Sequence, residues 1–331
     1  MSEVIITRRN AILGTAAGVV AAAAPLSVNV ANAAAELKGT DIPVHARFKL
    51  GEYDVTTLLA GTRAFPGDPQ GTFAMNVDKE EFEKVTRENF LPTDVARFYF
   101  TPTVVNTGSE LVLFDAGLGG ETPGILAALA SAGYTADQID VVVITHMHPD
   151  HIGGLMAGGK PTFPNARYVT GSKEYDFWSP MGADNRIGKL MISNVKPLAD
   201  KMTFVKGGDS VAAGITAVEA HGHTPGHMCY RVESNGQQVL LLADLANHYV
   251  WSLAYPDWEV RFDADKAAAA AARRNVLGMA AAAAARRKVV GMAAADRIPV
   301  IGYHLPFPAL GYVETRGNGF RYVPASYQLQ L

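Results

Sequence analysis

The chain has 331 residues, of which 48% are hydrophobic and 18% are charged, and its formal net charge is −3. These proportions are typical of a globular protein with a large core rather than of a disordered chain. They also argue against a nucleic-acid partner, because binding a phosphate backbone requires clustered Lys and Arg.

The N-terminal 35 residues predict an export signal. Arg8 and Arg9 precede a mildly apolar stretch over residues 11–24, and Ala31 and Ala33 offer a small-residue cleavage site. The apolar stretch is too short to span a bilayer comfortably. We therefore predict a signal of the twin-arginine type over residues 1–35 and a single domain over 36–331, exported folded to the periplasm or secreted. No stable membrane insertion is expected after cleavage, and an uncleaved anchor is the alternative.

Strand-like and helix-like segments alternate along the rest of the chain, as judged from short apolar runs bounded by turn residues. The predicted strands cover residues 52–59, 104–105, 111–114, 141–144, 167–170, 215–218, 227–232, 239–242 and 299–302, and the predicted helices cover 122–132 and 173–178. The run Gly317-Asn318-Gly319 predicts a hairpin turn near the C-terminus. This order predicts an α/β (α+β) protein with an αββα architecture, in which two mixed sheets pack face to face with helices outside.

Residues 266–295 form an alanine-rich segment with an internal repeat, since the run from Ala271 to Ala280 recurs thirteen residues later. Alanine favours helix. A shift of thirteen residues rotates a position by about 140° around a helix axis, so the apolar pairs of the two copies cannot share one face of a straight helix. We therefore predict a helix with a break near Gly278. The segment could be a mobile lid or, as we favour, a duplication that lengthened an outer helix.

The most informative segment for chemistry follows the apolar run 141–144. It places His146, His148, Asp150 and His151 within six residues. Buried polar side chains are costly when unpaired, so this cluster indicates a shared partner, most simply a metal ion. Alternate side chains of an extended segment point the same way. His146 and His148 can therefore bind one ion while Asp150 and His151 reach a second.

Three later residues complete the predicted metal site, each where a predicted strand gives way to a loop. We assign His146, His148 and His223 to one ion, Asp150, His151 and His304 to the other, and Asp244 as the carboxylate that bridges both. Nitrogen and oxygen donors predict two divalent ions, with zinc expected and manganese, iron or cobalt as alternatives. The single cysteine, Cys229, is expected to be a buried apolar residue rather than a ligand.

Two more residues are expected to support the ligands. His227 should fix the orientation of a ligand through a hydrogen bond, and Asp115, at the end of the strand 111–114, should brace a histidine or a loop. His221 could replace His223 as a ligand, although the Thr-Pro-Gly-His context favours His223.

These motifs, in this order and strand context, resemble the metallo-β-lactamase superfamily and, within it, methyl parathion hydrolase and its exported relatives. The subgroup resemblance includes residues 105–109, 111–115, 163–166, 176–178 and 304–308. It implies that the αββα sandwich is of the metallo-β-lactamase type. The sequence departs from the subgroup at Ala116, where Asp-Thr-Gly is usual, at Ala309, where glycine is usual, and over residues 245–262.

The resemblance also implies where the substrate pocket lies. Trp178 matches an aromatic position of the methyl parathion hydrolase pocket, and the stretch 245–262 should line the same pocket. The aromatic residues of that stretch could form a substrate wall or could lie in the core beneath a loop. We predict Trp178, His248 and Trp251 as pocket residues.

The paired-metal pattern and the resemblance predict a binuclear metal-dependent hydrolase with a small-molecule substrate. A hydroxide shared by the two ions would attack an ester, a lactone or an organophosphate triester. Asp150 and Asp244 are the predicted catalytic carboxylates, and Asp150 would orient the hydroxide or protonate the leaving group. The nearest alternative is an acyl homoserine lactonase, followed by a glyoxalase-like thioesterase and an iron-dependent sulfur dioxygenase. A β-lactamase and a metal-binding protein without turnover are weaker alternatives, and a homodimer is left open.

Overall fold

Two seven-stranded mixed sheets form the frame of the protein in a computed structural model that describes residues 42–290 and 298–325. The first eleven strands in chain order form the first sheet and two separate hairpins. They are β1 (His45–Leu50), β2 (Tyr53–Leu58), β3 (Gly61–Pro66), β4 (Val95–Phe100), β5 (Thr103–Asn106), β6 (Leu111–Phe114), β7 (Val141–Ile144), β8 (Met156–Ala157), β9 (Lys160–Pro161), β10 (Arg167–Gly171) and β11 (Met202–Val205). The second sheet contains β12 (Ser210–Ala212), β13 (Ile215–Glu219), β14 (Met228–Ser234), β15 (Gln237–Ala243), β16 (Val300–Gly302), β17 (Leu310–Arg316) and β18 (Gly319–Pro324).

The first sheet has the order β1-β2-β5-β6-β7-β10-β11, and the second follows chain order from β12 to β18. The remaining strands form two hairpins, β3 with β4 and β8 with β9. The hairpin β3–β4, which borders the candidate site described below, was not predicted from the sequence. The C-terminal hairpin of β17 and β18, with Gly317 in its turn, was predicted and is confirmed.

Six α-helices accompany the sheets within the described residues. They are α1 (Lys79–Glu88), α2 (Gly124–Ser131), α3 (Pro149–Ile152), α4 (Ser172–Trp178), α5 (Arg186–Leu190) and α6 (Lys266–Val290). Short 3₁₀ turns cover Pro69–Gly71, Ala136–Gln138, Gly153–Leu155 and Lys196–Lys201, and π-helical turns cover Met191–Val195 and Tyr249–Ala254. No helix in this part of the chain is long and apolar enough to cross a membrane. The predicted signal over residues 1–35 lies outside the described residues.

The strands β6 and β7 are apolar at every position because both of their faces are covered. On one face, Phe114 and Val143 pack in a core with residues of the second sheet, and the rings of Phe114 and Tyr230 lie 5.3 Å apart. On the other face, Val142 packs with Leu129 of α2. The second sheet is covered by α6, which packs against β17. The predicted αββα sandwich is therefore confirmed.

The helix α6 runs without interruption through Gly278, so the predicted break is wrong. Within the first copy of the repeat, Arg273, Val276, Leu277 and Ala280 are buried at the spacing of one helix face. Gly278 lies off that face, with open space where a β-carbon would stand. Glycine in a helix interior costs only about 1 kcal/mol relative to alanine, which the burial of this face outweighs. The helix therefore contains the first copy of the repeat and continues to Val290 within the second copy.

The parallel strand pairs position the candidate site. β7 lies parallel to β6 and β10 in the first sheet, and β15 lies parallel to β16 in the second. The segment that begins at Thr145 follows β7, Asp244 follows β15 and His304 closely follows β16. In layered α/β folds, ligands gather at the carboxyl ends of such strands. The topology therefore brings segments distant in the sequence to one edge.

Candidate metal centre

The seven predicted ligands meet at this edge in two groups. One group contains His146, His148, His223 and Asp244, the other contains Asp150, His151 and His304, and the donor atoms of each group lie within 4.8 Å of one another. Asp244 joins the groups. Its Oδ2 is 3.3 Å from Nε2 of His223 and 3.0 Å from Nε2 of His304, and its Oδ1 is 3.1 Å from Nε2 of His151.

Three atoms of these ligands are buried without a hydrogen bond in the described structure: Nε2 of His146, Nε2 of His151 and Oδ1 of Asp244. The last two lie 3.1 Å apart but are not aligned as donor and acceptor. An unsatisfied buried polar atom costs about 1–3 kcal/mol, and a divalent cation between these atoms would satisfy them. Imidazole nitrogens and carboxylate oxygens are ligands that suit zinc and related divalent ions. The residues present therefore fit a pair of metal ions.

Asp115 holds His151 in the orientation that a ligand needs. Its Oδ2 accepts hydrogen bonds from Nδ1 of His151 at 2.8 Å and from the Thr145 hydroxyl at 2.9 Å, while its Oδ1 accepts from the Thr145 backbone N–H. A carboxylate on Nδ1 fixes the imidazole tautomer and leaves Nε2 free to bind a metal. Asp115 itself has a positive φ of 61°, a backbone conformation that is uncommon for a residue with a side chain and recurs at functional sites.

Asp263 orients His223 in the same way that Asp115 orients His151, and it was not predicted from the sequence. Its Oδ1 accepts from Nδ1 of His223 at 3.0 Å, and its Oδ2 pairs with Nη1 of Arg273 at 2.8 Å. Arg273 is fully buried and also donates to the main-chain carbonyl of Pro256. This network connects the alanine-rich helix α6 to the first ligand group. The internal repeat places an Arg pair in both copies, so the sequence had no signal that singled out Arg273.

Glu174 of α4 is a second residue that sequence reasoning missed. Its Oε1 accepts from the backbone N–H of Met147 at 2.9 Å and from the indole of Trp178 at 2.8 Å. Its Oε2 accepts from the Thr224 hydroxyl at 2.7 Å and from the Gly226 N–H at 2.9 Å. One buried carboxylate thus ties the loop that holds His146 and His148 to the loop that holds His223.

His227 lies behind the ligands, where it was predicted. Its Nδ1 donates to the carbonyl of Ala220 at 3.0 Å, and its Nε2 accepts the backbone N–H of Asp244 at 3.1 Å. Burial lowers the pKa of His227 to about 3, so the ring is neutral and Nε2 can accept. The Asn247 amide donates to Oδ2 of Asp244 at 3.0 Å. These contacts hold Asp244 from both its backbone and its side chain.

The electrostatics of the site favour a cation. Burial, followed by the charge on neighbouring histidines, keeps the pKa values of His146 and His148 well below the ordinary range, so both imidazoles are neutral. Burial also opposes ionisation of Asp244, but His304 and His151 hold its pKa well below the ordinary value. Burial opposes protonation of His151, His223 and His304, but the neighbouring carboxylates raise the pKa of all three. These three imidazoles would release their protons to a divalent ion, which would supply the positive charge beside Asp244.

A cavity of about 580 Å³ opens beside the ligands. Its lining includes Trp178, the ligands His148, Asp150, His223, Asp244 and His304, and a wall of Phe65, Phe98, Phe100 and Phe262. Trp178, which was predicted as a pocket residue, therefore lines this cavity. The hairpin β3–β4 supplies three of the four phenylalanines, and the ring of Phe98 lies 5.1 Å from that of His304.

The structure places His248 and Trp251 away from the cavity lining, contrary to the prediction. Both belong to a core beneath the loop: their rings stack 4.0 Å apart, and Trp251 is 1% exposed and donates to the Thr86 hydroxyl at 3.0 Å. Nδ1 of His248 accepts the backbone N–H groups of Val250 and Trp251. The aromatic content of residues 245–262 mainly fills this core, and Phe262 is the member that reaches the cavity.

Comparison with known protein families agrees with this geometry. A model of the metallo-beta-lactamase superfamily matches residues 101–285, which is more than half of the chain. The chain belongs to the metallo-β-lactamase superfamily. Among its curated superfamily relatives are N-acyl homoserine lactonases from Bacillus sp and Bacillus cereus, 24% and 23% identical over 122 residues. These alignments cover 37% of this chain and 44% of each relative, so the chain matches less than half of their length.

Two solved structures extend the similarity over most of this chain. The dizinc quorum-quenching lactonase AidC, solved with a product, has 26% sequence identity and a TM-score of 0.76 over 86% of this chain and 98% of its own. The hydrolase AbOPH has 23% identity and a TM-score of 0.72 over 87% and 99%. At that identity, the likeness to AbOPH shows the fold alone.

Proposed function

We propose that this chain is a two-metal hydrolase that opens a lactone or cleaves a carboxylic ester, and that a lactone is its preferred substrate. The observation that carries the proposal is the pair of ligand groups joined by Asp244 beside an aromatic cavity. The similarity to a dizinc lactonase over almost its full length supports the lactone.

Each of the two groups of predicted ligands would hold one metal ion. His146, His148, His223 and Asp244 would hold one ion, and Asp150, His151 and His304, together with Asp244, would hold the other. Such a pair of ions, when bound, supplies a water of lowered pKa and polarises the oxygen of the substrate. The chain itself contributes fixed ligands, because Asp115, Asp263 and His227 hold the ligands from behind.

Asp150 is the carboxylate best placed to move a proton. Both Asp150 and Asp244 line the cavity, but the side chain of Asp150 is 18% exposed and that of Asp244 is 4% exposed. The Tyr303 hydroxyl donates to the main-chain carbonyl of Asp150 and thereby fixes its backbone. When a water attacks the carbonyl carbon, the Asp150 carboxylate can accept the proton that the water loses. When the ester C–O bond then breaks, the same carboxyl group can deliver that proton to the leaving oxygen.

The walls of the cavity indicate the kind of substrate that fits. Phe65, Phe98, Phe100 and Trp178 are apolar and flat, and a volume of about 580 Å³ is suitable for a small molecule. An acyl chain or an aryl group can lie against these rings while the reacting carbonyl points to the ligands.

An organophosphate triester is the second candidate. Trp178 lines the cavity, and the aromatic wall beside it can contact a nitrophenyl leaving group. The same ligands would serve a phosphorus centre, since the nucleophile is water in both reactions.

The test is a comparison of initial rates on zinc-loaded protein with N-hexanoyl homoserine lactone, a 4-nitrophenyl ester and a methyl parathion-type triester. Asp244→Asn should lose both the second equivalent of zinc and most of the rate on every substrate. Asp137→Asn, an exposed carboxylate before the start of β7, is the matched control. Two full equivalents of zinc and full turnover in Asp244→Asn would overturn the site. Dominant triester turnover would favour the second candidate.

A further inference from the structure

The cavity beside the metal centre carries positive charge that the proposed function does not use. Apart from the metal ligands, the charged residues of its lining are Arg63, Arg186 and Arg261. Within residues 42–290 and 298–325, none of these three guanidinium groups forms an ion pair with a carboxylate, whereas Arg167 and Arg274 elsewhere do. The whole chain has a net charge of −3. Three arginines at one cavity therefore give this region a charge opposite in sign to that of the chain.

Arg63 lies in the hairpin β3–β4 and lines the cavity. In its register Arg63 lies opposite Phe98, whose ring is 5.1 Å from that of the ligand His304. The guanidinium of Arg63 lies 4.9 Å from the ring centre of Phe65, two residues further along the same face. One strand face therefore presents a cation and aromatic rings together, close to the ligands.

Arg261 and Arg186 reach the same cavity from other elements. The guanidinium of Arg261 lies 5.2 Å from the ring centre of Phe262, and its backbone N–H donates to the carbonyl of Thr72 at 2.8 Å. Arg186 begins α5, where the side chain of Asn185 accepts the backbone N–H groups of Ile187 and Gly188. Three separate elements with ordered backbones thus surround the cavity with guanidinium groups.

We infer that the substrate carries a carboxylate or another oxyanion on its non-reacting arm, and that Arg63, Arg186 and Arg261 bind it. This inference rests on the proposed function. A guanidinium group presents planar donors that match the two oxygens of a carboxylate, and like charges around a cleft attract an anion into it. The apolar part of the arm lies against the phenylalanine wall. The preferred substrate is then an anionic ester or lactone rather than a neutral one.

A binding experiment tests the inference without requiring turnover. Adipate and its monoamide each offer one carboxylate to the metal centre, and they differ only in whether the far end is charged. Titration calorimetry on zinc-loaded protein should show adipate binding about tenfold more tightly, since each exposed ion pair contributes modestly. The preference should weaken as salt is raised.

Substitutions assign the effect to the three arginines. In the combined variant Arg63→Gln, Arg186→Gln and Arg261→Gln, the preference for adipate should fall to about two, the statistical factor for an acid with two equivalent carboxylates. Arg97→Gln is the matched control, because Arg97 is exposed on the same hairpin but alternates with Phe98 and so lies on its other face. That control should keep the full preference.

The second measurement compares the hydrolysis rates of two 4-nitrophenyl esters, the monoester of adipate and the ester of its monoamide. Both release the same leaving group. A preference for adipate of only about two in the wild-type protein, or a larger preference that survives the triple substitution, would overturn the inference while leaving lactone hydrolysis intact. Selective adipate binding without hydrolysis of any ester or lactone would instead overturn the proposed function and leave the arginine site standing.

Discussion

Arg273 and Arg274, adjacent on α6, meet opposite environments. The side chain of Arg273 is fully buried against Asp263, whereas that of Arg274 is 42% exposed and pairs with the exposed Asp257. The first pair supports the ligand His223, and the second joins α6 to the loop before it. The two neighbours therefore form a matched pair for experiment.

Arg273→Met should lower the free energy of unfolding by about 3–5 kcal/mol, because it leaves Oδ2 of the buried Asp263 carboxylate without its cationic partner. Arg274→Met should change it by at most about 1 kcal/mol, since an exposed ion pair is screened by water. Urea unfolding of both variants checks this difference. Zinc affinity should fall about 10- to 100-fold in Arg273→Met alone, and equal losses in both variants would show that Asp263 needs no buried partner.

Glu174→Gln should weaken the first ligand group. The amide nitrogen of glutamine must face donors that now meet a carboxylate oxygen, so at least one hydrogen bond to Met147, Thr224, Gly226 or Trp178 is lost. We expect a loss of about 1–3 kcal/mol in unfolding free energy and weaker zinc binding in an equilibrium titration. Glu83→Gln, on the surface helix α1, should change neither appreciably. Unchanged zinc affinity in Glu174→Gln would show that the two loops hold their positions independently.

His248 should make the protein less stable in mild acid. Burial lowers its pKa from 6.5 to about 3, so the folded protein keeps this ring neutral. Between pH 6.5 and 3 the unfolded chain binds a proton here that the folded chain does not, and the free energy of unfolding therefore decreases as the pH falls. At pH 5 the decrease amounts to about 2 kcal/mol relative to pH 7.

The control variant for this pH dependence is His248→Phe. Phenylalanine keeps an aromatic ring against Trp251 but has no group that titrates. Chemical unfolding of both proteins at pH 7 and pH 5, with metal removed from both, isolates the histidine. The wild-type protein should lose about 2 kcal/mol more than the variant over this interval. Parallel losses in the two proteins would mean that His248 is protonated in the folded state.

Removal of metal should destabilise the fold as well as stop turnover. Without a cation, Nε2 of His146, Nε2 of His151 and Oδ1 of Asp244 remain buried and unsatisfied. A ligand present at a thousand times its dissociation constant stabilises the folded state by about 4 kcal/mol. Thermal melts at pH 7 with chelator and with added zinc should therefore differ by several degrees, and the difference should shrink in Asp244→Asn. Coincident melts of the wild-type protein would argue against a metal in this site.

The sequence predicted the parts of the site that local spacing determines. The strand Val141–Ile144 has the predicted bounds, because its apolar run is bounded by polar residues, and the motif after it fixes four ligand positions at once. Asp263 and Glu174 were missed because each contacts partners 40 or more residues away, and no periodicity relates them. Pairings of that kind arise only when the sheets pack.

The errors in the prediction have a common physical cause. An aromatic run such as 245–262 buries apolar area equally well in a core or along a cavity wall, so composition could not assign His248 and Trp251. Gly278 is similar, since its intrinsic preference against helix is small beside the packing of Val276 and Leu277. At Ala309 the sequence comparison was informative, because the resemblance has glycine there. The φ of Ala309 is 64°, a backbone conformation that glycine adopts freely.

The ligands of the metal centre are spread from His146 to His304, and they come from loops that follow strands of both sheets. Loop-closure entropy must be overcome before such distant segments meet, and proteins rich in long-range contacts fold slowly for that reason. No early hairpin or helix of the chain can contain both ligand groups. We therefore expect the second ion to bind late in folding, so that the time course of metal uptake would report completion of the native topology.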